Sequence, residues 1–161
     1  MKEQVKYKEE TIYDIARNGD IYSFQAINLN NIDLNKKNEN GYSMLKLATC
    51  NGHRDFARYL LGLGADANSI DNTGDSILMG VAFKGHFEIA KYLIEKGADI
   101  NYQNPKGQTA LFFAEMAGHT EVVKLIKSYQ TQDDVSLLSN LKNWASQLNF
   151  RKPFGDAGEL P

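Results

Sequence analysis

Between Ser76 and Lys96 apolar residues recur at helical spacing twice over. Leu78, Val81 and Ala82 fall at i, i+3 and i+4, and beyond Gly85 the residues Ile89, Ala90, Leu93 and Ile94 repeat the pattern. Such spacing puts one apolar stripe on each of two short helices. The punctuation agrees with the periodicity: Ser76 stands where an N-cap belongs, Gly85 where the first helix must stop, and Gly97 where a left-handed residue closes the second. Helices of about eight to ten residues fall short of the ~12 to 15 at which an isolated helix becomes marginal in water, so each needs neighbours to persist.

The same pattern occurs on both sides of itself. Gly41, Gly74 and Gly107 are 33 residues apart, as are Gly52-His53, Gly85-His86 and Gly118-His119, and the Ala-Asp-x-Asn runs at Ala65 and Ala98. The units 41–73 and 74–106 share 12 identical positions. A period of this length predicts stacked supersecondary units, each covering the apolar stripe of the next. Between helix pairs, the run from Asp99 to Gly107 and its counterparts at Asp66 and Asp33 are rich in Asn, Asp and Gly, the chemistry of turns and hairpin tips. Residues 11–35 fit the template one period earlier, with Gly19 under Gly52, but lack the leading Gly and the capping hydroxyl. Together with the polar start Lys6 to Glu10 they predict an N-terminal cap. After Gln130 the period stops; Asp133-Asp134 precede an apolar helical face of Val135, Leu137, Leu138, Leu141, Trp144, Ala145 and Leu148. This predicts a C-terminal helix that covers the open end of the fourth unit, the alternative being a grip on a partner. Arg151 to Pro161 reads as an extended tail.

The unit length, Gly-x-Thr-Ala-Leu at Gly107, Gly-His before the second helix and Gly-Ala-Asp-x-Asn after it resemble the ankyrin repeat over residues 8 to 130. The resemblance implies an all-α ankyrin-repeat solenoid of four helix-turn-helix repeats with β-hairpin-like finger loops. On this reading 1–130 is the repeat domain, with units 8–40, 41–73, 74–106 and 107–130, and 131–161 holds the capping helix and tail. The family's Thr-Pro-Leu-His stands here as Ser43-Met44-Leu45-Lys46, Ser76-Ile77-Leu78-Met79 and Thr109-Ala110-Leu111-Phe112. Pro would preset the first helical turn and His would tie adjacent loops, so the sequence shows neither device.

The 161 residues, 42% hydrophobic with net charge −2, contain no run near the ~20 apolar residues of a membrane span. Met1 to Thr11 alternates Lys and Glu without an apolar core, so no secretory signal is read, and the single Cys50 fits a reducing compartment; the cytoplasm is the expected location. Lys outnumbers Arg 14 to 4 and Asn reaches 15, the codon bias of an AT-rich, bacterial genome.

Candidate chemistry changes this picture little. His53, His86 and His119 are the only histidines. Equivalent residues in stacked layers are separated by about 8–10 Å, whereas ligands of one zinc each bind at about 2.0–2.1 Å, so the trio is read as a structural position and no metal is expected. No Cys-x-x-Cys, phosphate loop or Ser-His-Asp set can be assembled, and neither catalytic residues nor a cofactor are expected. Scattered lysines among acids disfavour nucleic acid.

What the resemblance implies is recognition of a protein along the concave face, formed by finger tips and first helices, by a chain that is monomeric in isolation. Position by position that face holds Glu39, Asn40, Tyr42, Cys50 and Asn51, then Ile70, Asn72, Thr73, Asp75, Phe83 and Lys84, then Tyr102, Gln103, Lys106, Gln108 and Met116. Phe83, Met116 and Tyr42 read as anchors, against the competing reading that a lone Phe or Met on a helix is core. The function expected is a non-enzymatic interaction module for one dedicated partner, by resemblance an immunity protein or an enzyme accessory factor, for instance of catalase. The alternatives are an enzyme or ligand carrier with a site around Trp144, Phe150 and Phe154, or an effector secreted into a host cell.

Overall fold

A computed structural model describes residues 9–27 and 32–147. The expected polar start before Glu9, the tail from Arg151, Leu148, Phe150 and Phe154, and the side chains of Val135, Leu137, Trp144 and Ala145 lie outside what is described.

The chain divides into two units, 1–127 and 128–161. The first contains helices in consecutive pairs: α1 (Glu9–Asn18) with α2 (Ile21–Gln25), α3 (Met44–Cys50) with α4 (Arg54–Gly62), α5 (Ile77–Lys84) with α6 (Phe87–Glu95), and α7 (Ala110–Met116) with the opening turns of α8 (Thr120–Gln147). The first helices stack in order, α1 on α3, α3 on α5 and α5 on α7, while α4 packs on α6. The starts of α3, α5 and α7 each follow from a local hydroxyl. Ser43 Oγ accepts from Lys46 N at 3.2 Å, Ser76 Oγ from Met79 N at 3.3 Å and Thr109 Oγ1 from Phe112 N at 3.2 Å, satisfying amides that a helix start leaves without a partner. The core is the expected one: Leu45, Ala48, Leu78, Val81, Ala82, Ile89, Ala90, Leu93 and Ile94 are buried. Phe24 and Phe56 meet edge to face at 5.2 Å where the first two pairs join.

The Gly-His pairs work across the repeat boundary. Each Gly ends a first helix with a left-handed backbone, at φ +69, +81 and +73 for Gly19, Gly52 and Gly85, and the His of the next repeat lies against its bare Cα. A Cβ on Gly19 would lie 2.5 Å from His53, and on Gly52 3.1 Å from His86. His53 Nε2 donates to the carbonyl of Arg17 at 2.7 Å and His119 Nε2 to that of Phe83 at 3.0 Å; a carbonyl only accepts, so that nitrogen carries the proton. His53 and His86 open their helices without capping them through the side chain; the rings are spacers to the preceding layer.

A second tie runs along the bases of the fingers. Asn35 Oδ1 accepts from Asp66 N, and Asn68 Oδ1 from Asp99 N, both at 2.8 Å, while Asn68 Nδ2 donates to Gly97 O at 2.9 Å. Two hydrogen bonds of ~0.5–1.5 kcal/mol each, largely exposed, set the scale. Asn68→Ala is expected to cost about 1 kcal/mol in urea unfolding with Gln103→Ala unchanged as control; equal midpoints would remove the ladder from the account.

Each finger turns on one side chain. Asn38, Asp71 and Asn104, 33 residues apart, accept through Oδ1 from the amides two and four positions on, at 2.9 to 3.1 Å for six bonds. Single antiparallel bridges, Lys37 with Ser43 and Ile70 with Ser76, close the first two fingers into minimal hairpins.

The expected boundary at 130 falls inside one helix. α8 continues unbroken to Gln147, since nothing from Ser128 to Asp134 is Gly or Pro. Leu138 and Leu141 on it are exposed. Among the described residues no helix is long and apolar enough to cross a membrane.

Candidate partner-binding face

The register of the stack puts corresponding residues of α3, α5 and α7 on one face. Leu47, Gly80 and Phe113 correspond, as do Cys50, Phe83 and Met116. Where its neighbours carry Leu and Phe, the middle repeat carries no side chain at all. Cys50 leans into the gap, its Sγ only 2.7 Å from where a Cβ on Gly80 would stand. The remainder is a notch of about 230 Å³ lined by Tyr42, Lys46, Cys50, Asp71, Asp75, Met79, Gly80, Phe83, Lys84 and Phe113.

Its floor is charged but neutralised. Lys46 Nζ donates to Asp71 Oδ2 at 2.5 Å and to the carbonyl of Asp75 at 2.8 Å, and sits 5.5 Å from the centre of the Tyr42 ring. Both partners' side chains are only 7% exposed. Burial pushes the Asp71 carboxyl up, but hydrogen bonds from Lys46 and Thr73 outweigh it and hold Asp71 below the usual carboxylate range. Burial pushes the Cys50 thiol up. The tie that the missing His would supply is made here by another residue: Lys46 stands at that position and joins α3 to the next finger with a longer side chain and a full charge.

One edge of the notch is aromatic and open to water. Phe83 is 44% exposed and Met116 56%. Phe83 meets Phe113 edge-on at 6.4 Å, and Phe113 meets Phe112 at 5.7 Å. The alternative that Phe83 and Met116 are core residues is thereby removed.

A second, wider hollow of about 750 Å³ lies between α1 and the first finger, lined by Tyr13, Asp14, Arg17, Lys36, Lys37, Asn38, Glu39 and Asn40.

Residues 12–104, more than half of the chain, match the family described as ankyrin repeats (3 copies). The chain belongs to the ankyrin-repeat family. A comparison with curated proteins found no match. The three matched repeats contain α1 to α6; the pair α7–α8 lies beyond them. Ankyrin repeats as a class mediate contact between proteins.

In ankyrin terms, Tyr42, Asp75, Phe83 and Lys84 come together at the notch with Cys50, and Glu39 and Asn40 at the wider hollow. Others of the expected set are engaged within the stack. Asn51 Nδ2 donates to Leu47 O at 2.7 Å, Asn72 Nδ2 to Glu39 O at 2.7 Å, Thr73 Oγ1 to Asp71 at 2.6 Å and Tyr102 Oη to Gly74 O at 3.0 Å. Gln108 accepts from Asn104 at 3.1 Å, and Ile70 forms a finger bridge. Gln103 and Lys106 are exposed on the third finger. Sequence reasoning missed Lys46, Asp71, Gly80 and Phe113. The signal for Gly80 was present, because a glycine inside a helix costs about 1 kcal/mol against Ala and needs a reason. Among the described residues no cluster of three or more His, Cys, Asp or Glu side chains could hold a metal.

Proposed function

We propose that this ankyrin-repeat chain is a non-enzymatic binding module that works as a monomer in the cytoplasm and holds one dedicated partner protein on its concave face. The observation that carries this reading is the exposed Phe83 at a preformed notch, with exposed Phe112 and Met116 on the next first helix. Clustered exposed apolar side chains mark interaction sites, and a central aromatic anchor carries much of an interface's energy. Hydrogen bonds inside the fingers hold them in place before a partner arrives, which lowers the ordering cost of association. Whether the bound protein is a toxin to be blocked or an enzyme to be assisted follows from its identity.

The test is capture from the source cell with the wild-type chain beside Phe83→Ser. The partner is expected to be recovered with the former and lost with the latter, a loss of about 2 kcal/mol or more, roughly thirtyfold in Kd, at little change in melting temperature. Equal recovery by both would remove the face from the reading. Tyr42→Ser is a weaker probe, because Tyr42 is half-buried and packs on Lys46.

A further inference from the structure

The notch has a size and a charge that narrow what it can hold. At about 230 Å³ it falls below the ~300–1,000 Å³ of small-molecule sites, yet it has room for one large side chain from another protein. Its walls between Phe83 and Phe113 are apolar, and its Lys46–Asp71 pair is already closed.

The acids of this face are largely consumed. Asp14 is paired with Arg17, Asp71 with Lys46, and Asp75 accepts from Asn104 Nδ2 at 2.7 Å and from Thr73 Oγ1 at 3.3 Å. Glu39 is the exposed acid that remains on the two hollows and the finger tips beside them, whereas Lys37, Lys84 and Lys106 are exposed there. Asp75 keeps its charge while accepting from these neutral donors, so three outward lysines stand against Glu39 and Asp75, a small local excess of positive charge on a chain of net charge −2. Like-charged segments are repelled from such a face and acidic ones are drawn to it.

Building on the concave-face reading, we infer that the occupant is an acidic segment of the partner protein that presents one large apolar side chain. The apolar group seats at Gly80 against the touching rings of Phe83 and Phe113, and a carboxylate next to it in sequence meets Lys84. Gly80 is the residue that makes this possible, since a side chain there would fill the seat, as Leu47 and Phe113 fill the corresponding places in the adjoining repeats.

The experiment pans a random peptide library displayed on phage against the full chain, then measures one synthesised winner against wild type, Phe83→Ser and Lys84→Glu, with melting curves for each. Enriched peptides are expected to carry an aromatic residue, Leu or Met beside Asp or Glu. Affinity should fall about tenfold or more in each variant and weaken as salt is raised, with melting unchanged. Winners that are lost with Phe83→Ser but have basic or uncharged flanks and ignore Lys84→Glu would overturn this inference while leaving the concave face in place. Winners indifferent to both variants would overturn the face as well. No enrichment over an unrelated bait would also count against the inference, because a preformed seat for one side chain and its neighbour should select short segments.

Discussion

Asp71→Ala is expected to lower the unfolding free energy by about 3–5 kcal/mol, a large part of the ~5–15 kcal/mol that holds a typical domain together. The reason is what stays behind. Lys46 is only 7% exposed along its side chain, so removing its carboxylate leaves a largely buried ammonium with the Asp75 carbonyl as its remaining protein acceptor. By contrast Glu121 and Lys124, paired at 2.9 Å but with side chains 68% and 73% exposed, should show less than about 1 kcal/mol on Glu121→Ala. Replacing both members of the buried pair, as Lys46→Met with Asp71→Ala, should return the part of the loss due to the stranded charge, because two apolar groups carry no desolvation penalty, while the part due to the finger bonds of Asp71 Oδ1 remains. Urea unfolding of the four proteins measures all three statements. If Asp71→Ala and Glu121→Ala cost the same, the Lys46 tie is not what joins the second repeat to the third.

The pH dependence of this pair has a definite sign. Asp71 is held below its ordinary range in the folded protein. Its unfolded counterpart titrates near about 3.9. The contribution is therefore complete above that pH and is lost as pH falls through the lower folded value. Stability curves of wild type and Asp71→Asn should accordingly run apart at neutral pH and converge in acid.

The period made most of the fold legible, because each repeat restates the same two caps and the same stripe, and a single reading of Leu78, Val81 and Leu93 serves every layer. What stayed hidden depends on contacts between layers. The tie at Lys46 was invisible because the family position was read as a lost His, and its partner Asp71 lies 25 residues away on the next finger. Phe83 and Met116 were legible by register; the notch at Phe83 was not, since a void is set by what its lining side chains leave unfilled. The end of the repeat pattern does not coincide with the end of a helix. Loss of the 33-residue pattern at Gln130 is a change in sequence, yet a helix stops only where its backbone is given a cause to stop, and α8 has none before Gln147.

Gly85→Ala is expected to cost clearly more than Gly97→Ala, and the comparison separates two costs that are usually measured together. Gly97, at φ +87, and Gly85, at φ +73, are both left-handed. Alanine at either pays roughly 1–2 kcal/mol for its Cβ against the backbone. At Gly97 nothing lies within 4 Å of that Cβ, whereas at Gly85 it would stand 2.5 Å from His119 Nδ1. The ring cannot swing away freely, because its Nε2 is fixed at 3.0 Å to the carbonyl of Phe83. Overlap of this kind adds about 1–3 kcal/mol. Gly97→Ala should therefore lose about 1–2 kcal/mol and Gly85→Ala about 2–5 kcal/mol. Adding His119→Ala to Gly85→Ala should cost less than the two single losses summed, since the overlap is then gone and only the backbone term and the lost hydrogen bond remain. Strict additivity in that cycle would mean that the ring and the glycine are not in contact, and that Gly-His recurs in this chain for the turn alone.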